Sequence, residues 1–239
     1  MYYYVSIKDD SKVVEKLKEL AEKKPKEGQD KFYGRIRNEG LIWNHKRIER
    51  VYKMLGLNKR KRGRKRLPAR VKNPLVVPMR PNDTWSMDFM HDTLMNGRKF
   101  RVLNVIDDFN REALRIEPFF SIGSNLVIKI LERLVLERGS PRAIRVDNGP
   151  EFISSALSEW CMDKGIKLVY IQPGKPMQNG YIERFNRSYR EDVLDANLFE
   201  SIAQARTLSD EFQDDYNLYR PHESLGNLSP VNYKLKSCG

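Results

Sequence analysis

The chain has 239 residues, enough for one good-sized domain plus a small one. Its formal charge of +12 is unevenly placed: residues 1–80 hold 24 Lys+Arg against 9 Asp+Glu, a net of +15, and residues 81–239 hold 20 against 23, a net of −3. A basic front on a slightly acidic body points to a nucleic-acid-binding arm joined to a different machine, and the basic stretch lacks the strong apolar face that a membrane surface would select.

No run of about 18 apolar residues exists to span a bilayer. The first residues, Met1-Tyr2-Tyr3-Tyr4-Val5-Ser6, lack the basic start and apolar middle of a signal peptide. Two cysteines, Cys161 and Cys238, make no disulfide framework, and with His45, His91 and His222 they show no paired zinc-ligand spacing. The expected location is the cytoplasm.

Residues 11–24 read as an amphipathic helix, with Val13, Val14, Leu17, Leu20 and Ala21 at helical spacing and Ser11 as cap. A second helix fits 29–38, weakened by Gly34, and a third fits 44–55, capped by Asn44 and ended by Gly56. Residues 1–58 therefore read as a small all-α, helix-turn-helix-like DNA-binding segment, with Lys46, Arg47 and Arg50 as candidate contacts. The alternative is a small helical domain whose cations are solvated surface.

Residues 59–81 read as a basic, Pro-punctuated linker. Lys59, Arg60, Lys61, Arg62, Arg64, Lys65 and Arg66 put seven cations in eight positions, and such a block binds phosphates with little sequence preference.

From residue 82 to 235 the pattern changes. Strands are predicted at 84–90, 99–107 and 112–118, the first two joined through the turn dipeptide Asn96-Gly97. A helix at 124–138, a strand at 143–147, a helix at 154–164, a strand at 167–171 and helices at about 178–193 and 201–218 follow. Three strands and then alternating helix and strand give an α/β fold, a mixed five-stranded sheet flanked by helices, in the order of the ribonuclease-H-like fold.

Three carboxylates stand out on that frame. Strand alternation sends Trp85, Met87 and Phe89 to one face and Ser86, Asp88 and Met90 to the other, so Asp88 is a carboxylate in an otherwise apolar strand. A cation must offset it, either a metal or a paired Arg or Lys. Asp147 ends a strand at its carboxyl end, where open α/β sheets gather ligands, and it also suits a turn with Asn148-Gly149. Glu183 follows Asp147 after 35 intervening residues, on a helix whose core side is Ile182, Phe185, Tyr189 and Val193. Its alternative is a surface pair with Arg187. Carboxylate oxygens are the ligands Mg²⁺ prefers, and two ions about 4 Å apart can stabilise both oxygens of an in-line phosphoryl displacement.

The triad and the words around it resemble the DDE transposases and retroviral-type integrases, in particular the second-reading-frame transposases of bacterial insertion sequences. The matching words are Trp85-Ser86-Met87-Asp88-Phe89, Val105-Ile106-Asp107-Asp108-Phe109 and Asp147-Asn148-Gly149-Pro150-Glu151-Phe152, then the run from Pro173 through Glu183 to Arg187, and Tyr219-Arg220-Pro221-His222-Glu223-Ser224-Leu225-Gly226. The resemblance implies a ribonuclease-H-like core over 82–235 in which Asp88, Asp147 and Glu183 are both catalytic residues and ligands of Mg²⁺ or Mn²⁺, two ions in all. It implies cleavage at the ends of a mobile element and strand transfer into target DNA. Lys175, Arg187 and Arg190 are then candidate phosphate contacts near the metals, while Asp92, Asp107, Asp108 and Glu151 read as turn, surface or supporting groups. The implied partners are double-stranded DNA, further copies of the chain on that DNA, and an upstream-frame DNA-binding partner or fusion. A nuclease of the same fold that cuts without joining, and a DNA-binding regulator with an inactive core, remain alternatives.

Overall fold

The computed structural model describes residues 9–58, 78–149, 151–172 and 179–238. Its first elements are the helices α1 (Ser11–Lys23), α2 (Gln29–Asn38) and α3 (His45–Met54). They form because apolar side chains recur on one face of each. Val13, Leu17, Leu20, Phe32, Ile36, Ile48, Val51 and Tyr52 close into a small core of their own. Asn44 caps α3 by accepting the Lys46 amide at 2.9 Å, as its position predicts. The basic block of residues 59–66 lies outside the described residues.

The larger part is built on β1 (Thr84–Thr93), β2 (Lys99–Asp107), β3 (Ala113–Phe119), β4 (Ala143–Val146) and β5 (Lys167–Tyr170). They form one five-stranded sheet in the order β3-β2-β1-β4-β5. The β1–β2–β3 meander is antiparallel, whereas β1–β4 and β4–β5 are parallel, so the sheet is mixed as expected. β1 runs three residues beyond the predicted end because His91, Asp92 and Thr93 keep pairing with β2 up to the turn. In that turn Gly97 takes φ +81, a conformation open to glycine.

Both faces of the sheet are covered. On one, Trp85, Met87, Val105 and Ile144 pack with Leu131 and Leu134 of α4 (Ser124–Arg138) and Leu157 and Trp160 of α5 (Ser155–Asp163). On the other, Met90, Val102 and Ile106 pack with Ile182, Phe185 and Tyr189 of α6 (Gly180–Tyr189) and Phe212 and Tyr216 of α7 (Ile202–Leu218). The predicted alternation of β1 is thus realised, and Asp88 lies on the α6 side. The helix predicted to 193 is α-helical to Tyr189 and then widens into a π turn, Arg190–Leu194. A last helix, α8 (Pro230–Cys238), had no predicted counterpart. Among the described residues no helix is long and apolar enough to cross a membrane.

The three-helix segment docks on the α6–α7 side of this core. Arg35, 2% exposed, donates to Glu27 at 2.6 and 2.8 Å and to Asp215 of α7 at 2.8 and 2.9 Å. Arg220 reaches Glu27 at 3.5 Å and also pairs with Asp192. Gly34 is required here, since a Cβ would sit 2.6 Å from the Pro221 ring. The glycine that weakens α2 as an isolated helix is what lets it approach the core.

Candidate active site

β1 and β4 run parallel with Thr84 opposite Ala143, Trp85 opposite Ile144 and Ser86 opposite Arg145. Continuing that register sets Asp147 beside Asp88, with both side chains on the face opposite Trp85 and Ile144. Asp88 accepts the Phe89 amide at 2.8 Å and the Asn186 side-chain amide at 2.7 Å. Burial pushes its carboxyl up to about 6. The charges of Asp147 and Glu183 push the same way, against the Phe89 amide and Asn186.

Asp147 sits just past β4 and accepts the Gly149 amide at 2.9 Å. A Cβ at Gly149 would lie 3.0 Å from that carboxylate oxygen, so the glycine keeps the turn tight around it. Asn148 ties the turn to the Ile171 carbonyl at 3.0 Å. Glu183 is exposed in the first turn of α6, while Ile182, Phe185 and Tyr189 anchor the opposite side of that helix. Asp147 and Glu183 both lie near enough for their charges to act on Asp88.

No ion pair joins any of the three to a cation among the described residues, so the alternatives of an Arg or Lys beside Asp88 and of a Glu183–Arg187 pair do not occur there. Among the described residues no three His, Cys, Asp or Glu side chains stand as a ready cage for an ion. The chemistry of the donors still fits a hard divalent cation: two strand-borne carboxylates and a helix-borne one, all oxygen, with mutual repulsion that a metal would relieve.

Asn186 was not singled out from the sequence. Its Oδ1 accepts from Asn104 of β2 at 2.7 Å while its Nδ2 donates to Asp88, so a buried relay fixes α6, and with it Glu183, against β1 and β2. Its position three residues after Glu183, on the same side of the helix, was the available signal.

The remaining candidates divide. Arg187 is exposed and makes no ion pair among the described residues. Arg190 donates to the His91 carbonyl at 3.0 Å and lies 3.7 Å from Asp195. Lys46 is exposed on α3, and Arg47 and Arg50 both pair with Asp10, at 2.7 and 2.6 Å. Lys175 lies outside the described residues. The competing carboxylates have structural partners: Asp107 accepts the Asn82 and Phe109 amides, Asp108 pairs with Arg145, and Glu151 pairs with Arg101. Asp108 is also pushed up to about 6, by burial against the pull of Arg145.

Residues 78–176 and residues 164–230 each match a model of the integrase core domain. A 39.2 kDa protein of insertion element IS476 from Xanthomonas euvesicatoria is 40% identical over 218 residues, covering 91% of this chain and 63% of that protein. This chain thus spans less than two thirds of that relative's length. A 31.7 kDa protein of insertion element IS407 from Burkholderia multivorans is 39% identical over 221 residues, covering 92% of this chain and 80% of that one. The HTLV-2 integrase catalytic core, solved in complex with magnesium in a trimeric form, has a TM-score of 0.52 at 20% identity, over 65% of this chain and 98% of that one. That likeness is one of fold, and it identifies the sheet as ribonuclease-H-like. The order of strands, the integrase-core matches and the extent of identity to the IS407 protein lead to one conclusion: this chain belongs to the DDE-type integrase-core family of insertion-sequence transposases.

Proposed function

We propose that the protein catalyses metal-dependent cleavage and strand transfer of DNA at the ends of its own insertion element. The observation that supports this reading is the effect of the Asp147 and Glu183 charges on Asp88, whose buried carboxyl is driven towards its neutral form and makes no ion pair with a described cation. Asp88 and Asp147 would hold or flank two Mg²⁺ or Mn²⁺ ions, and Glu183 would hold the second. The bound ions would polarise the scissile phosphodiester and lower the barrier to in-line attack. The magnesium complex of the HTLV-2 core supports divalent metal, and its trimeric form supports assembly of several copies.

The chain's own residues supply positioning. Asn186 holds Asp88 and α6 in register, and Gly149 shapes the turn that presents Asp147. Arg187, exposed and without an ion pair among the described residues, and Lys175 would hold phosphates of the DNA end, as would Arg190. Lys46, Arg47, Arg50 and the cations of residues 59–66 would bind duplex DNA through residues 1–81, the helical segment and linker placed before the core. An upstream-frame partner or fusion would add to that recognition, and the reaction would take place in the cytoplasm.

The test is to incubate the full chain with Mg²⁺ and the terminal DNA of its element and to look for joined strands. Joining should vanish in Asp147→Asn and in Glu183→Gln while duplex binding persists. Near-normal joining in Glu183→Gln would remove the triad assignment. Cutting without joining would make the protein a nuclease, and binding without either would make it a regulator.

A further inference from the structure

A cavity of about 500 Å³ opens where α2 meets the core. Lys31 of α2 forms one wall, Glu183 and Arg184 of α6 another, and Arg111 and His222 close it. Lys31, Arg111 and Arg184 make no ion pair among the described residues, although Asp30 and Glu223 also reach the lining. Lys31 is half-buried, and burial followed by the charge of Arg220 lowers its pKa. Arg111 lies flat on the Tyr181 ring, 3.5 Å from its centroid. Burial, and then the charges of Arg220, Lys31, Arg184 and Arg111, oppose protonation of His222. Arg220 differs from the other three in being spent on Asp192 and Glu27.

We propose that this cavity is a phosphate site for one nucleotide of a single DNA strand, shared between the helical segment and the core. The inference rests on the DNA-processing reading above. Its volume falls within the roughly 300–1,000 Å³ of small-ligand sites, room for a nucleotide and too little for a duplex. Lys31 offers a point charge and Arg184 a planar fork, the two donors that phosphate recognition uses. An anion here would be held by Lys31, Arg111 and Arg184, with Asp30, Glu183 and Glu223 as the opposing charges of the lining. Arg184 follows Glu183 directly on α6, so a strand whose phosphodiester lies at the carboxylates has its neighbour at the mouth of the cavity. The site exists because α2 is docked: without it the cavity loses Lys31 and one wall. The helical segment thereby takes part in handling the reacting strand in addition to binding duplex.

The test uses the full chain in EDTA, so that it reads binding without catalysis. Lysines are acetylated in the presence and absence of a 5′-phosphorylated thymidine trinucleotide, and peptides are quantified by mass spectrometry. Lys31 should be protected saturably, and Lys18, exposed on α1, should not. Arg184→Gln, at an exposed position that should leave the melting temperature unchanged, should raise the trinucleotide concentration needed for protection about tenfold, the loss expected of one charge-assisted contact. Equal labelling of Lys31 with and without the trinucleotide overturns the site, and so does equal protection of Lys18. Protection by a uridine trinucleotide in place of the thymidine one overturns the assignment to DNA. Strand joining without protection removes the cavity and leaves the reaction standing. Protection without joining does the reverse.

Discussion

Two clusters of charge flank α6, and they are built on opposite plans. At the junction of the helical segment with the core, the buried arginines are paired: Arg35 lies between Glu27 and Asp215, and Arg220 between Glu27 and Asp192. At the carboxylates, the charges of Asp147 and Glu183 act on Asp88 and no described cation joins the three. The titration of the groups follows. Burial opposes the charge of Glu27 and of Asp215, yet the bonds to Arg35 hold both carboxyls below their ordinary range. Burial opposes the charge of Asp88 too, and there the neighbours add to the effect, so its carboxyl rises to about 6. Charge that is paired on burial fixes one part against another. Charge that is gathered and left unpaired is poised for something the chain does not itself contain.

The largest effect that would break this contrast lies at the junction. Arg35→Met removes the guanidinium shared by Glu27 and Asp215 and leaves Glu27 to Arg220 and Asp215 to Lys24. Removing one partner of a buried network costs about 3–5 kcal/mol, a fall in melting temperature on the order of 10 °C for a chain of this size. A thermal melt at neutral pH checks it. A loss within a degree or two would mean that the helical segment is not held by this network. The sign with pH is also set. Glu27 and Asp215 have folded pKa values below their ordinary 4.5 and 3.8, so their contribution is present above those values and is lost as pH falls through the depressed ones.

The next effect sharpens the other side. Asn186→Ala removes the donor to Asp88 and leaves the buried Asn104 amide without its acceptor. A hydrogen bond to a charged group and an orphaned buried donor together predict a destabilisation of roughly 1.5–3 kcal/mol. If Asn186 also sets the spacing of Glu183 from Asp88, joining should become dependent on higher Mg²⁺ concentration. Chemical denaturation and a Mg²⁺ titration of joining separate the two. Lost stability with an unchanged Mg²⁺ dependence would reduce Asn186 to a packing residue.

Much of this was legible in the sequence, for identifiable reasons. The strands of the sheet and the core stripe of α6 are periodic, and period is a local property: Trp85 and Met87 against Ser86 and Asp88 already state which way β1 faces. Asp88, Asp147 and Glu183 stand out in the sequence through their spacing and their neighbouring words, and in the structure the charges of Asp147 and Glu183 act on Asp88. What escaped was whatever depends on residues meeting across the chain. Arg35 is one of several arginines in a basic segment, and nothing near it announces Asp215, 180 residues away. Gly34 reads as a flaw in α2 until Pro221 is seen against it. The Asn104–Asn186–Asp88 relay joins β2, α6 and β1 through uncharged amides with no pattern of their own. The cation-lined cavity beside Glu183 draws its walls from four separate stretches of chain.

The smallest predicted effect is the most discriminating, because its sign is opposite to that of an ordinary core mutation. The folded pKa of Asp88 lies above its ordinary value of 3.8, at about 6. Such a group favours the folded state fully while it is protonated, below about 3.8, and that advantage is lost as pH rises through 6. Asp88→Asn removes the charge and, like the protonated carboxyl, keeps one oxygen to accept the Phe89 amide while the group facing Asn186 becomes a donor. In EDTA at pH 8 the variant should therefore be more stable than the parent, by roughly 2 kcal/mol once partial exposure is allowed for. Below pH 4 the two should melt together, since the parent carboxyl is then neutral as well. Loss of the Glu27 and Asp215 contributions at low pH affects both proteins alike and cancels in the difference. Adding Mg²⁺ at pH 8 should stabilise the parent and not the variant, closing or reversing the gap. A variant that is less stable than the parent at pH 8 without metal would show that Asp88 is satisfied where it stands, and the contrast between the two clusters would fail.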